Sequence, residues 1–140
     1  ADRLLLAQGW LQSHAHTKNL RAGYFGASTG AGAALQAAAR APDAVGAVVS
    51  RGGRPDLAGP YLSRVTAPTL LLVGGEDGPV IGMNEEALAK LSCPKQLMII
   101  PGATHLFEEP GTLEQVAQAA LHWFRRYLHP EPHQAKESLQ

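Results

Sequence analysis

Gly26-Ala27-Ser28-Thr29-Gly30 is the stretch that decides how this 140-residue chain folds. The apolar run 23–25 precedes it and the alanine-rich segment 33–39 follows it. This order predicts a strand, a tight turn and a helix, with Ser28 at the tip of the turn. Such a turn strains the serine backbone, so glycine two residues before and two residues after it lets the strand and the helix approach each other. The pattern favours a serine nucleophile.

A glycine-rich phosphate loop and a plain strand-to-helix turn are the alternatives for this segment. A phosphate loop of the Walker type has a lysine and then serine or threonine after its last glycine. Here Gly30 is followed by Ala31, Gly32 and Ala33. The nucleophile therefore remains the preferred interpretation.

A serine hydroxyl needs a general base, and the base needs a carboxylate to orient it. In chains with this strand-turn-helix motif the order is serine, acid, histidine. The apolar run 69–73 ends in a loop with Asp77, and the apolar run 97–100 ends in a loop with His105. The carboxyl ends of parallel strands meet at one edge of a sheet. We therefore expect Ser28, Asp77 and His105 to converge as nucleophile, acid and base.

Other residues compete for the roles of acid and base. Glu76 is adjacent to Asp77 and could take its place, and an aspartate beside glycine often serves only a turn. The histidines that compete with His105 are His14, His16, His122, His129 and His133. Of the six histidines, His105 is the one that directly follows a predicted strand.

Apolar runs and helical patterns alternate along the chain, which predicts an α/β fold with about four parallel strands flanked by helices. The predicted strands are 22–27, 45–50, 69–74 and 97–101. The predicted helices are 2–14, 29–40, 80–92 and 112–128, with a short turn near 57–65. We expect one domain over residues 1–128 and a polar tail over residues 129–140.

The last predicted helix has apolar residues at helical spacing, including Leu113, Val116 and Trp123. This spacing predicts that these side chains face the core. Thr112 followed by Gln115 predicts a capping box at the start of the helix.

Composition excludes several classes of function. Twelve acidic and twelve basic side chains balance, so no net charge attracts nucleic acid or an anionic membrane surface. No apolar run approaches the roughly 20 residues that span a membrane. The single Cys93 cannot form an intrachain disulfide, and no histidine–cysteine pattern predicts a metal site. We expect a cytoplasmic protein without a metal.

Three stretches carry a family resemblance: residues 23–31, 48–58 and 101–111. Together they resemble the α/β-hydrolase superfamily, and more closely the dienelactone-hydrolase-like proteins that are sometimes fused to a phosphoribosyltransferase domain. The resemblance covers roughly residues 1 to 128. It implies cleavage of esters, lactones or related acyl bonds without a cofactor. It also implies that the Thr29 backbone N–H is one half of an oxyanion hole.

This chain departs from the family at its front. Family members are longer there, with several strands and a loop that carries the second oxyanion donor. We therefore expect a truncated α/β-hydrolase fold, present as a short gene, a processed product or an excerpt. A sheet that begins at the strand containing Tyr24 has an unpaired edge, so we expect a homo-oligomer of two-fold symmetry, with a separately encoded front half as the rival. Light scattering during size-exclusion chromatography tests this.

Arg51 and Arg54 follow the second strand at the same edge of the predicted sheet. A guanidinium there could bind a substrate carboxylate through two hydrogen bonds. Either arginine could instead fix the loop through Asp56. We name both as candidate substrate-binding residues, with the structural role as the stronger interpretation.

Together these features predict a serine hydrolase of the carboxylesterase type that cleaves small, short-chain esters through an acyl-enzyme. Acyl transfer and lactone cleavage would use the same three residues. The alternative from a different class is a catalytically idle hydrolase-fold fragment that serves assembly or binds a partner. The absent oxyanion loop favours that alternative, whereas the complete set Ser28, Asp77 and His105 favours catalysis.

Overall fold

A computed structural model describes residues 21–128 of the chain. Its four strands form one parallel sheet in the order β1-β2-β3-β4. The strands are β1 (Ala22–Ala27), β2 (Val45–Arg51), β3 (Thr69–Gly74) and β4 (Lys95–Ile100). The helices are α1 (Thr29–Arg40), a 3-10 helix (Pro55–Arg64), α2 (Gly78–Lys90) and α3 (Thr112–Tyr127).

The predicted α/β architecture is confirmed, with element boundaries within two residues of the predicted ones. Strand β4 begins two residues earlier than expected, and α2 also begins two residues earlier, directly after Asp77. The helix predicted over residues 2–14 and the polar tail over residues 129–140 lie outside the described residues.

The sheet lies between two layers of helices. Each connection leads from one strand to its neighbour, always in the same direction across the sheet. Because all three crossovers have the same hand, α1, the 3-10 helix and α2 lie on the same face. Apolar side chains of those elements pack with Tyr24, Val48 and Leu71. Helix α3 covers the opposite face, where Val116, Ala120 and Trp123 pack among side chains that include Val49 and Leu72. Strands β2 and β3 are apolar and buried because helices cover both of their faces.

Two details of α3 differ from the prediction. The capping box is wrong: Gly111 with φ of 83° is the N-cap, and the Thr112 hydroxyl donates to the Glu109 carbonyl at 2.8 Å instead of capping an N–H. Leu113 is 49% exposed, whereas Val116 and Trp123 are buried as expected. The Trp123 indole N–H donates to the carbonyl of Pro68, which ties α3 to the start of β3.

Within the described residues, β1 pairs with β2 alone and so forms one edge of the sheet. Phe25, in the middle of this strand, is 49% exposed. An unpaired edge that carries an exposed aromatic ring is the kind of surface another chain can cover. The expectation of a homo-oligomer stays a prediction.

Candidate active site

Ser28 occupies the turn between β1 and α1 in a left-handed conformation, with φ of 50° and ψ of −123°. The neighbouring backbone holds it there on both sides. Its N–H donates to the Arg51 carbonyl at 3.4 Å, and its carbonyl accepts from the N–H groups of Arg54 at 2.9 Å and Ala31 at 3.2 Å. Non-glycine residues rarely adopt this conformation, and such strain is typical of functional sites.

The two glycines of the motif differ in how tightly they are packed. A Cβ at Gly26 would lie 2.7 Å from the Ala31 Cα and from the Gly30 carbonyl oxygen, so only glycine lets β1 meet α1. A Cβ at Gly30 would meet no atom within 4 Å among the described residues. The expectation that both positions must be small for the close approach is therefore confirmed at Gly26 and wrong at Gly30.

His105 lies between Ser28 and Asp77. Its Nε2 is 2.9 Å from Ser28 Oγ, and its Nδ1 is 2.8 Å from Asp77 Oδ2. An ionised carboxylate can only accept, so the Nδ1–H donates to Asp77 and the neutral ring keeps a lone pair on Nε2. The Ser28 hydroxyl can then donate its proton to Nε2. The structure thus brings the three predicted residues together; their catalytic roles stay a prediction.

Asp77 is held at the carboxyl end of β3 and is the N-cap residue of α2. Its side chain is 11% exposed, against 40% for His105. Glu76 is exposed instead, and its backbone N–H donates to the Ala103 carbonyl at 2.9 Å. Between the two adjacent carboxylates, Asp77 is the one that contacts the imidazole.

The loop that carries His105 is fixed by contacts that sequence reasoning missed. The Glu109 carboxylate accepts from the Thr104 N–H at 3.0 Å and from the Thr104 hydroxyl at 2.7 Å. These two hydrogen bonds lower the pKa of Glu109. Phe107 has φ of 57°, and its ring is buried. The sequence signal for these contacts was a threonine before the histidine and a glutamate after it. Their spacing alone does not show that the two side chains contact each other.

Gly52 packs against the histidine from the β2 side. Its φ is 53°, and a Cβ there would lie 3.4 Å from His105 Nδ1. Glycine is favoured here by the positive φ, which side chains rarely adopt, more than by the space beside the imidazole.

Thr29 is the first residue of α1, directly after Ser28. The first N–H groups of a helix have no acceptor within the helix, and the helix dipole is positive at this end. The oxyanion role that the resemblance implies for the Thr29 N–H stays a prediction.

The two arginines have different surroundings. Arg54 donates to both carboxylate oxygens of Asp56, at 3.0 and 2.8 Å, and these bonds lower the pKa of Asp56. That is the structural role weighed above. The guanidinium carbon of Arg51 lies 5.6 Å from the centre of the Phe107 ring, and its Nε has no hydrogen-bond partner within residues 21–128. Arg51 is thus the candidate of the pair that is not engaged by a carboxylate there.

The remaining predicted features bear on the site less directly. His122 is exposed on α3, and His14, His16, His129 and His133 lie outside the described residues. Residues 21–128 hold no group of three or more histidine, cysteine or acidic side chains that could bind a metal ion. No helix in that range combines the length and the apolar character needed to cross a membrane.

Comparison with known proteins agrees with this geometry. The sequence profile of the dienelactone hydrolase family matches residues 1–129. The crystal structure of a dienelactone hydrolase from Anabaena variabilis superimposes with a TM-score of 0.88 and 62% sequence identity, over 90% of this chain and 58% of that one. The esterase domain of a Rhodothermus marinus protein superimposes with a TM-score of 0.74 at 22% identity, over 90% of this chain and 68% of that one, which supports the fold alone.

A longer relative comes from Mycobacterium tuberculosis strain H37Rv, where it bears the provisional name of a phosphoribosyl transferase. It is 59% identical over 128 residues, which make up 91% of this chain and 29% of the relative. The chain therefore spans less than a third of the length of that relative and little more than half of the Anabaena protein.

Proposed function

Because this chain belongs to the dienelactone hydrolase family and has an α/β-hydrolase fold, we propose that it is a serine esterase that cleaves small, short-chain carboxylic esters. The observation that carries the proposal is the hydrogen-bonded series Ser28 Oγ, His105 and Asp77, with distances of 2.9 and 2.8 Å. We keep a cytoplasmic location as part of the proposal; it is supported by Cys93, which is buried and free, since disulfide-bonded cysteines are typical of secreted domains.

In the proposed reaction, His105 Nε2 takes the proton of the Ser28 hydroxyl as Oγ attacks the ester carbonyl carbon. A tetrahedral intermediate forms, and its oxyanion accepts a hydrogen bond from the Thr29 N–H. The imidazolium returns the proton to the leaving alcohol when the carbon–oxygen bond breaks. Water then attacks the acyl-enzyme with His105 as base again and releases the acid. Asp77 stabilises the imidazolium and fixes its tautomer throughout.

Rate and substrate preference follow from the surrounding groups. Loss of one oxyanion donor typically costs about 10² to 10³ in rate, so a site with Thr29 alone would be slow. The Arg51 guanidinium, which lies over the Phe107 ring, is the proposed contact for a substrate carboxylate, because Arg54 is occupied by Asp56. Lactones and acyl acceptors other than water would use the same Ser28 step.

Phosphoribosyl transfer, the activity in the name of the mycobacterial relative, does not enter this proposal. The chain matches 29% of that relative, and a transferase site could lie in the remainder. Within residues 26–32 the chain offers a hydroxyl beside a base, and no lysine follows the glycines to neutralise a phosphate.

The test is hydrolysis of p-nitrophenyl acetate by the purified chain and by its Ser28→Ala variant. We expect the substitution to abolish turnover, since removal of a triad serine leaves only binding and oxyanion contributions. Ser63→Ala is the matched control, because Ser63 is an exposed serine of the 3-10 helix whose hydroxyl donates to the carbonyl of Pro60. Equal rates for wild type and Ser28→Ala would reject the proposal and favour the idle fragment with a binding role.

A further inference from the structure

Asn84 is a fully buried polar residue of α2 that the proposed mechanism does not use. Its Nδ2 donates to the Gly53 carbonyl at 3.2 Å and to the Val80 carbonyl of its own helix at 2.9 Å. The first of these bonds joins two elements that are 31 residues apart in sequence. It links α2 to the loop that follows β2.

That loop holds the backbone of Ser28. The Ser28 N–H donates to the carbonyl of Arg51, and the Arg54 N–H, next to Gly53, donates to the Ser28 carbonyl at 2.9 Å. The bond from Asn84 therefore reaches the loop one residue away from the bond that fixes the nucleophile.

The amino-terminal end of α2 carries the proposed acid. Asp77 is the N-cap of this helix, and its carbonyl accepts from the N–H groups of Val80 and Ile81, both at 3.1 Å. Val80 in turn accepts from Asn84. Asn84 thus connects the helix turn that carries Asp77 with the loop that carries the Ser28 backbone.

We propose that Asn84 is a positioning residue that sets the separation between Ser28 and the pair His105 and Asp77. The proposal rests on the serine esterase function above. Two series of contacts join Ser28 to the segment that carries Asp77. The first runs through the side chain of His105. The second runs from the Ser28 backbone through Arg54, Gly53 and Asn84 to the first turn of α2. We call this second path the Asn84 strut.

Space filling does not account for an amide at this position. Asn84 Oδ1 is buried and accepts no hydrogen bond within residues 21–128. A buried acceptor left without a partner is destabilising, and an apolar side chain of similar shape would not carry this cost. The feature of Asn84 that the fold uses is its donor to Gly53.

The first test compares Asn84→Leu with Thr69→Val, two replacements that keep the branching of the side chain and delete buried hydrogen bonds. Thr69 is the matched control because it is fully buried, donates to the Ala67 carbonyl and lies at the amino end of β3, away from the site. A misplacement of about 1 Å can cost on the order of 10² in rate. We expect kcat for p-nitrophenyl acetate to fall about 10-fold in Asn84→Leu with KM within about two-fold, and kcat of Thr69→Val to stay within about two-fold of wild type.

The second test uses Asn84→Asp, which keeps the size of the side chain. An ionised carboxylate facing the Gly53 and Val80 carbonyls cannot donate, whereas a protonated carboxyl can. Burial raises the pKa of such a carboxyl by up to several units. The ratio of variant to wild-type kcat should therefore rise as the pH falls from 8 to 6. A merely structural role predicts a ratio independent of pH.

The two proposals can be separated by the outcomes. If wild type turns over and Asn84→Leu is no slower than Thr69→Val, the strut is refuted and the esterase stands. If wild type shows no Ser28-dependent turnover, the esterase is refuted, and hydrogen exchange of the Arg54 amide then decides the strut. We expect that amide to exchange at least about 10-fold faster in Asn84→Leu than in Thr69→Val; equal exchange would refute the strut.

Discussion

Two turns carry Ser28 and His105, and each contains one of the two non-glycine residues with positive φ in residues 21–128. Ser28 lies in the turn between β1 and α1, and Phe107 lies in the loop 101–111 that carries His105. Backbone hydrogen bonds with the end of β2, the loop after β2 and α1 hold the first turn. Buried and charged side chains hold the second, namely the Phe107 ring and the Glu109 carboxylate.

The difference shows how the two parts of one site are encoded. The conformation of Ser28 is specified in large part by a short motif of a strand, one glycine and a helix, and backbone hydrogen bonds to Arg51 and Arg54 complete it. The conformation of the histidine loop depends on a ring that packs into the core between sheet and α3. Substitutions in the first turn should affect stability and activity through the fit of the backbone. Substitutions in the second turn should affect them through side-chain packing and charge.

Phe107→Ala should have the largest effect on stability. Truncation of a buried phenylalanine costs about 3–5 kcal/mol, because apolar contact is lost and a cavity remains. The variant should also lose activity, since the ring supports the chain two residues beyond His105 and lies under the Arg51 guanidinium. Urea unfolding together with esterase kinetics measures both. Leu113→Ala, at an exposed leucine of the neighbouring helix, should stay within about 0.5 kcal/mol of wild type.

A decrease of less than about 1 kcal/mol in the free energy of unfolding of Phe107→Ala would contradict this contrast between the serine turn and the histidine loop. It would mean that the histidine loop, like the serine turn, is held by its backbone.

Gly26→Ala should cost less stability, about 1–3 kcal/mol, because overpacking forces β1 and α1 apart. The expected loss of activity follows from displacement of Ser28. Gly30→Ala is the matched variant, since its Cβ meets no described atom within 4 Å and alanine is the better helix former. We expect it to be as stable as wild type or more stable by up to about 1 kcal/mol. Thermal unfolding of the two variants side by side tests the packing argument.

Equal destabilisation by the two substitutions would show that the Gly26 contact with Ala31 does not set the tightness of the turn. In that case the original expectation, that both Gly26 and Gly30 must be small, would be correct.

The same contrast explains what could be predicted from the sequence. Strand and helix periodicity predicted the four parallel strands, and chain order predicted that Ser28, Asp77 and His105 would meet. Those inferences rest on local pattern and on the rule that parallel strands end at one edge. The roles of Gly30 and Thr112 were mispredicted because a motif names residue types without showing which atoms are close.

Side-chain contacts of residues outside the serine, acid and histidine pattern were not predicted from the sequence. No sequence pattern distinguishes Asn84, which bonds to Gly53, or Glu109, which bonds to Thr104, from an ordinary surface residue. Arg54 shows the intermediate case, because Asp56 is two residues away and their pairing was among the stated alternatives. Short sequence separation made that contact predictable.

Glu109→Gln should give the smallest effect and the one with a pH signature. The pKa of Glu109 is lowered in the folded protein by the Thr104 hydroxyl and N–H, so the unfolded chain takes up the proton first as the pH falls. The stabilisation is thus fully present above the unfolded pKa of about 4.3 and is lost as the pH falls through the lower folded value. An uncharged glutamine lacks this dependence.

The Tm of wild type should therefore exceed that of Glu109→Gln by a constant amount from about pH 7 to 5, and the gap should close at lower pH. Asp56, whose pKa is also lowered, titrates in both proteins and cancels in the difference. Scanning calorimetry over this pH range measures the gap. A gap that persists to about pH 3 would show that glutamine fails at this position for reasons of shape, and that the charge of Glu109 does not hold the histidine loop.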